Sequence, residues 1–343
     1  MSAPRTLPPL AVLLISDGKP GHYALSEAIV AAIARRREVA VTRVDVARPP
    51  WLPPRALSVL TNLRAGFTTK LVGFDLATPD RRDPQRPGII VSAGGDTLAA
   101  NVFAARYHNS PNVFYGSLRR YRPEDFALVL TSYLEHAGQP NTVMTLKPSA
   151  QDPSEIPLQP RIASGPVSIG VLVGGDSGTI RYAPADWDAL LALCQRSNPE
   201  SVCFVVANSR RTPDAVSDRL AALAVTGRIG FVDVRTAGPG TLRPLLAGSH
   251  AILATVDSSS MISEAIWARR PVAVLTPERW SLPALESGYR DYLARNGWTI
   301  ELPISGATPA GVLIALDRVT PITGNPLDDL AALLDRRLPQ LEL

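Results

Sequence analysis

Cysteine and histidine are scarce: two and four in 343 residues, too few for a disulfide framework or a dedicated zinc site. Cys194 and Cys203 form no Cys-x-x-Cys pair, and His22, His108, His136 and His250 are scattered, so a reducing compartment and no metal are expected. No apolar run reaches the roughly 20 residues of a membrane-spanning helix, which excludes an integral helical membrane protein. The apolar start, Leu7 to Ile15, carries Pro8 and Pro9 and runs into Asp17-Gly18 without a small-residue cleavage site. It reads as a first strand rather than a signal peptide, so the expected location is the cytoplasm. Two nucleotide motifs are missing as well. There is no Gly-x-x-x-x-Gly-Lys-Ser/Thr, and no Gly-x-Gly-x-x-Gly follows the first strand, which demotes P-loop kinases and simple NAD dehydrogenases.

What is present is ordinary for a globular enzyme: 45% hydrophobic and 19% charged residues, in a length that suggests about two domains. The net charge of +4 does not argue for nucleic acid, and no nucleic-acid partner is expected. Its distribution is uneven. Between Ala31 and Lys70, eight cations (Arg35, Arg36, Arg37, Arg43, Arg48, Arg55, Arg64, Lys70) face two anions, Glu38 and Asp45. Such an excess attracts anionic lipid headgroups or phosphorylated substrates. The same stretch carries Trp51, Leu52, Leu57, Val59, Leu60, Leu63, Phe67 and Leu71, and a basic segment with an apolar face can dock on an anionic membrane without spanning it. A core-packed helix with a solvated basic side fits the same residues.

Strand-like and helix-like runs alternate. Ala11–Ile15, Val39–Val46, Gly88–Val91, Asn112–Tyr115 and Leu128–Thr131 form a first set of strands, with helices predicted over Ala24 to Ala34 and Thr97 to Arg106, the latter capped by Asp96. Lys147 to Gly165 holds Pro148, Pro153, Pro157 and Pro160 and reads as a stiff linker. Alternation restarts with Val167–Val173, Val202–Val206, Ile229–Val234, Ala251–Thr255 and Val272–Leu275. The expectation is an α/β protein of two doubly wound domains, 1–150 and 166–343, joined by a linker at 151–165, with the last helix packing back on the first domain. Ligands of such sheets bind at the carboxyl ends of the strands, so two facing sheets would leave a cleft.

Special residues lie where that geometry would put a ligand. Asp17-Gly18-Lys19-Pro20-Gly21-His22, Gly94-Gly95-Asp96-Thr97 and Gly174-Gly175-Asp176-Ser177-Gly178 each follow a strand, and glycine turns there admit close approach of a phosphate to a helix N-terminus. Ser209-Arg210-Arg211-Thr212-Pro213 offers two guanidiniums at a helix start, suited to a diphosphate. Asp257-Ser258-Ser259-Ser260-Met261 supplies hydroxyl and amide donors, and Glu264 follows where a carboxylate can accept both hydroxyls of a ribose. Taken singly, each has a plain reading: a tight turn, a solvated loop, a serine cap. His108, His136 and His250 read as surface or packing residues, Cys194, Cys203, Trp187 and Trp267 as core, and Trp280 and Trp298 as cleft candidates.

Ser263-Glu264-Ala265 followed by Arg270-Pro271-Val272 resembles the donor-nucleotide signature of GT-B glycosyltransferases, and the Gly21-His22 and Gly174-to-Gly178 turns are similar to loops of the bacterial N-acetylglucosamine transferase of peptidoglycan synthesis. The blocks Asp17-to-His22, Ser92-to-Asp96, Gly174-to-Ser177, Ser209-to-Pro213 and Asp257-Ser258-x-x-Met261-x-Ser263-Glu264-Ala265, in that order, resemble the family named after a plant mitochondrial-fission factor, which has many bacterial members. Val256 and Ser259 depart from that pattern, where a Gly and a bulkier residue would be expected. The resemblance implies a GT-B-like fold and a glycosyltransferase using a nucleotide-diphosphate sugar, UDP-linked by preference, as co-substrate with no other cofactor and no metal. In the first domain of such a transferase, the basic and apolar stretch from Arg35 to Lys70 would place the acceptor beside the headgroups of the inner membrane face, so a lipid-linked or envelope-glycan acceptor is expected. In that scheme the second domain binds the donor through Gly175, Ser177, Ser209, Arg210, Arg211, Ser258, Ser259, Ser260, Met261 and Glu264. The first domain carries the acceptor loops Gly18, Lys19, Gly21, Gly94 and Gly95, with His22 and Asp96 as candidate general bases. A nucleotide-sugar epimerase on the same fold and a non-catalytic recruitment scaffold are the alternatives. Oligomeric state is not legible.

Overall fold

The computed structural model describes residues 7–64, 86–159, 166–238 and 240–343. Phe67, Lys70 and Leu71 of the basic stretch and residues 160–165 of the expected linker lie outside these. The chain divides into two compact units, Met1–Gln151 with Pro326–Leu343, and Asp152–Asn325. Each is built on a six-stranded sheet whose pairings are all parallel.

In the first unit, β1 (Leu10–Ser16), β2 (Val39–Asp45), β3 (Ile89–Ala93), β4 (Asn112–Tyr115), β5 (Leu128–Thr131) and β6 (Thr142–Met144) are arranged β2-β1-β3-β4-β5-β6. The helices are α1 (Pro20–Ala34), α2 (Pro54–Asn62) and α3 (Leu98–His108). β3 and β4 are buried throughout, Ser92 and Asn112 included, as central parallel strands covered on both faces must be. β2, at the edge, is mostly exposed and carries Thr42, Arg43 and Asp45. After β1 the chain winds outward to β2, whereas β3 to β6 run the other way. The β1–β3 boundary is therefore a topological switch point, where the strand ends leave a crevice.

The second unit repeats the plan. β7 (Val167–Leu172), β8 (Val202–Ala207), β9 (Gly230–Val232), β10 (Ala251–Thr255), β11 (Val272–Thr276) and β12 (Thr299–Pro303) lie in the order β12-β11-β10-β7-β8-β9, with the switch point between β7 and β10. α4 (Pro184–Gln195), α5 (Asp214–Val225), α6 (Leu242–Gly248), α7 (Ser259–Trp267), α8 (Ala284–Arg295) and α9 (Pro309–Asp317) accompany it. β10 and β11 are wholly buried. Among the described residues no helix is long and apolar enough to cross a membrane.

Several local expectations change. Asp96 does not cap α3: the N-cap is Thr97, with no side-chain cap bond, and its hydroxyl turns back to Ser92 Oγ (3.0 Å) while Asp96 points elsewhere. β6 and β12 were not expected from the sequence, because both are short, half-exposed edge strands without a buried apolar run. The proline-rich stretch after Gln151 is fastened rather than free. Asp152 accepts from Ser154 N–H (2.8 Å), Arg269 Nη2 donates to the Pro153 carbonyl (2.5 Å), and Arg270 Nη2 to that of Pro157 (2.7 Å). Residues 152–159 thus belong to the second unit. The last helix, α10 (Pro326–Arg337), belongs to the first: Leu327, Leu330 and Leu334 are buried, and Arg35 Nε donates to Asp328 (2.7 Å).

Candidate functional site

Both switch points carry the glycine turns singled out in the sequence. At the first, β1 ends in Asp17 and β3 in Gly94-Gly95-Asp96. Asp17 is almost fully buried, and its Oδ2 lies 2.8 Å from His22 Nδ1 on the first turn of α1. That bond fixes the imidazole from one side and leaves Nε2 for a substrate. Gly94 has φ +91°, and a Cβ there would come within 2.1 Å of His22 Nδ1; at Gly95 a Cβ would fall 2.2 Å from the Arg119 guanidinium carbon. The two glycines make room for a base and a cation side by side. Lys19 Nζ donates to Asp96 (2.7 Å) and sits 3.5 Å from Asp17, while Arg48 Nε lies 3.9 Å from Asp96. The hydrogen bond from Lys19 holds the Asp96 carboxyl below its ordinary range and raises the Lys19 ammonium in return. Asp96 is therefore held ionised and charge-paired, which leaves it poorly suited to take a proton. Gly18 (φ +73°) turns the chain from Asp17 into Lys19, and Gly21 faces open space within α1.

The second switch point is organised around a residue given no role by the sequence reading, Asp257. Its carboxylate is completely buried and accepts from Thr255 Oγ1 (2.7 Å), Tyr182 Oη (3.0 Å), Gly175 N–H (3.1 Å) and Arg211 Nη2 (2.5 Å). Burial first, and the Asp257 charge second, push the Tyr182 hydroxyl pKa upward, so it stays a donor. A Cβ on Gly174 would strike that carboxylate at 2.0 Å, and one on Gly175 would meet the Arg211 carbonyl oxygen at 1.9 Å. The Ser209–Thr212 loop is folded on the same turn. Thr212 Oγ1 donates to the carbonyls of Val173 (2.9 Å) and Gly174 (2.7 Å), and Arg211 N–H donates to Ser209 Oγ (3.2 Å). Arg210 is exposed and makes no hydrogen bond or ion pair to a described residue. Ser177 shares a two-bond turn with Ile180.

Above this anchor, Ser258 caps α7 by accepting from Met261 N–H (3.4 Å), Ser259 donates to Glu286, and Ser260 is exposed. One and a half turns on, Glu264 is half-buried with no hydrogen bond or ion pair to a described residue, and burial pushes its carboxyl up to about 7. Arg290 of α8 is buried beneath the loop and donates to the Val256 carbonyl (2.9 Å), while its Nε and Nη1 find no hydrogen-bond partner. Arg270, by contrast, is structural: it is 1% exposed and spends its guanidinium on the carbonyls of Pro157, Leu246 and Ala247.

Asp257 and Asp17 share one signal the sequence offered: each is the acidic residue immediately past, or two past, a buried strand. Tyr182, Arg290 and Arg119 had none, since distant contacts define them. An Asp-x-Asp triplet does occur, Asp186-Trp187-Asp188, but it is not a metal pair. Asp186 accepts from Ala183 N–H (2.8 Å) and Glu278 N–H (3.0 Å), and Asp188 pairs with Arg219. Among the described residues no cluster of His, Cys, Asp or Glu could hold a metal ion. Trp187 and Trp267 are buried, Cys194 is a buried thiol pushed up to about 12 by desolvation, and Trp298 packs edge-on against Tyr292.

The basic stretch is largely consumed by structure. Arg35 pairs with Asp328, Arg37 donates to the carbonyls of Pro8 and Leu341, Arg43 pairs with Asp45, and Arg48 donates to the Leu52 carbonyl. Of its apolar residues, Leu52 and Leu57 are core, whereas Trp51, Val59 and Leu63 are exposed.

Known structures share this fold across nearly the whole chain. Acinetobacter baumannii MurG matches at TM-score 0.51 and 13% identity, covering 97% of this chain and 98% of that one. S. aureus MnaA with UDP matches at 0.51 and 12%, covering 97% of each. Arabidopsis thaliana UGT89C1 complexed with UDP matches at 0.50 and 12%, covering 98% and 100%. The architecture is that of the GT-B glycosyltransferases. No protein of curated function matches the sequence. The sequence profile described as "Mitochondrial fission ELM1" matches residues 20–332, and the chain belongs to that family.

Proposed function

We propose that the protein is a glycosyltransferase that takes its sugar from a UDP-sugar, without a divalent metal, and passes it to a lipid-linked or envelope-glycan acceptor. The observation that carries this reading is Glu264: a half-buried carboxyl, without a partner among the described residues, one and a half turns into a serine-capped helix at a sheet switch point. Once ionised it is an acceptor-only side chain, which suits the two adjacent hydroxyls of a ribose. The diphosphate would then lie towards the α7 N-terminus, with Arg210 and Arg211 supplying the positive charge that a leaving diphosphate needs. The two UDP-bound structures of the same fold support UDP as the nucleotide.

In the first unit, His22 is the base. Asp17 accepts the Nδ1 proton, so Nε2 holds the lone pair that removes a proton from the acceptor hydroxyl. The freed oxygen attacks the anomeric carbon of the sugar, the bond to the diphosphate breaks, and UDP departs carrying both electrons. The exposed Trp51, Val59 and Leu63, beside the unpaired Arg55 and Arg64, support docking on an anionic membrane from the cytoplasmic side.

The test is UDP binding to the full chain with EDTA present. Saturation at about 100 times the dissociation constant should add about 2.7 kcal/mol, visible as a raised melting temperature. No shift with UDP or any other nucleoside diphosphate, with or without magnesium, would leave a recruitment scaffold as the better reading. Docking is checked by co-sedimentation with phosphatidylglycerol vesicles at low salt, and should weaken in the R55E/R64E variant.

A further inference from the structure

A second feature of the first unit remains unexplained by a base alone. A cavity of about 180 Å³ opens next to the Gly94-Gly95 turn, lined by Arg48, Arg55, Gly95, Asp96, Arg119 and Arg120 together with Pro54, Leu57, Ser58 and Tyr121. Four arginines thus border a space that holds a single carboxylate, and that carboxylate is already bonded to Lys19. The guanidiniums of Arg55, Arg119 and Arg120 make no hydrogen bond or ion pair to a described residue, and Arg48 Nε is buried without a hydrogen-bond partner. Arg119 is also held at φ +55°, a left-handed conformation uncommon for a side chain of this size, which aims it at the turn. Arginines that share one carboxylate around a concavity are electrostatically costly unless a further anion joins them, and their planar forks suit phosphate oxygens.

Position and size narrow the ligand. Gly94 is packed on His22 and Gly95 on Arg119, so consecutive residues tie the base to the cavity. The volume is below the roughly 300 Å³ at which whole small-molecule sites begin, so it fits a phosphate with its first substituent atoms rather than an entire glycan. The apolar wall of Pro54, Leu57 and the Tyr121 ring would receive that substituent. We propose that this cavity seats a phosphate group carried by the acceptor, an organic phosphate monoester or diester, and so presents the acceptor to His22. This rests on the transferase reading for the word acceptor; the anion site itself does not.

Calorimetric titration of the full chain with geranyl phosphate, glucose 1-phosphate and inorganic phosphate, each in saturating UDP so that the second unit's anion site is filled, tests the assignment. Geranyl phosphate binding best indicates a lipid source, glucose 1-phosphate a water-soluble one; either should exceed inorganic phosphate. The R55Q/R119Q variant should lose at least tenfold in affinity for the better probe while its UDP affinity stays within twofold. If that variant does not fold, R55Q alone, on an exposed helix start, should still lose severalfold. Failure of both organic probes to bind, or binding that these substitutions leave unchanged, overturns the proposal. Loss of UDP binding with intact, arginine-dependent phosphate binding would sink the transferase reading and leave the anion site standing.

Discussion

The two glycine turns, Gly94-Gly95 and Gly174-Gly175, do the same steric work for opposite electrostatic ends. In the first, the missing Cβ atoms admit an imidazole and a guanidinium, and the surrounding charges are partly solvated: Lys19 is more than half exposed and Asp96 about 30%. In the second, they admit a carboxylate with no exposure at all and the carbonyl of a folded loop. A solvated ion pair is weak and adjustable, worth about 0–1 kcal/mol. A buried carboxylate with four donors is rigid, and removing any one partner is expensive. One turn lies among charges that are free to rearrange, the other holds a loop in a fixed shape. The shared lesson is that glycine at a strand end marks a site without saying which kind.

Four measurements would break or sharpen that contrast. The largest effect is expected at the adjustable turn: His22→Ala should lower sugar transfer, or hydrolysis of the UDP-sugar, by about 10²- to 10⁴-fold, with UDP affinity unchanged. A loss of UDP binding instead would mean that the roles of the two units are reversed. At the rigid turn, Asp257→Ala should cost about 3–5 kcal/mol of stability, because Tyr182, Thr255, Gly175 N–H and Arg211 all lose their acceptor. Thermal unfolding reads it directly, and a melting point within a degree of wild type would show that the network is not structural. Asp96→Asn, by the same comparison, should move stability by less than about 1 kcal/mol.

The third measurement removes the proposed ribose acceptor. Glu264→Ala should weaken UDP binding about tenfold while leaving affinity for inorganic pyrophosphate alone, a split that calorimetry resolves. The fourth follows from burial, which raises the Glu264 carboxyl to about 7 from the ordinary range near 4.5. Between those values the folded state binds the extra proton, so this group's contribution to stability falls as pH rises through the window and is flat above it. Ribose hydroxyls favour the ionised form, so UDP should bind more tightly as pH rises through about 7. The ratio of wild-type to Glu264→Gln affinity isolates that severalfold change, and a ratio that does not vary with pH would remove Glu264 from the ribose.

How much of this was readable from the chain depended on sequence distance. The fold's centre was plain, because β3 and β10 are mostly apolar runs that lead into glycine or serine turns. Their edges were not. Thr142–Met144 and Thr299–Pro303 carry no periodicity strong enough to announce a strand; they become strands because a buried neighbour presents its unpaired edge. The turns themselves were legible, and so was the placing of Glu264 and His22 beside them, since each stands close in sequence to its strand end. Asp96 misled: an acidic residue before a helix looks like a cap, yet Lys19, distant by 77 residues, claims it. Asp257 misled in the other direction. Nothing local says that Tyr182, 75 residues away, and Arg211, 46 away, will converge on it.

The ending of the chain bears on the order in which the molecule can be made. α10 lies on α1, with Arg35 bonded to Asp328 and Arg37 Nη1 to the Leu341 carbonyl at 2.7 Å, so the first unit is assembled from segments on either side of the second. During synthesis the residues of Asp152–Asn325 emerge as one uninterrupted stretch and can close their own core, whereas the unit begun earlier must wait until α10 leaves the ribosome. His22 sits on the very helix that waits. A chain cut before α10 would therefore keep a finished second unit and an unfinished first one.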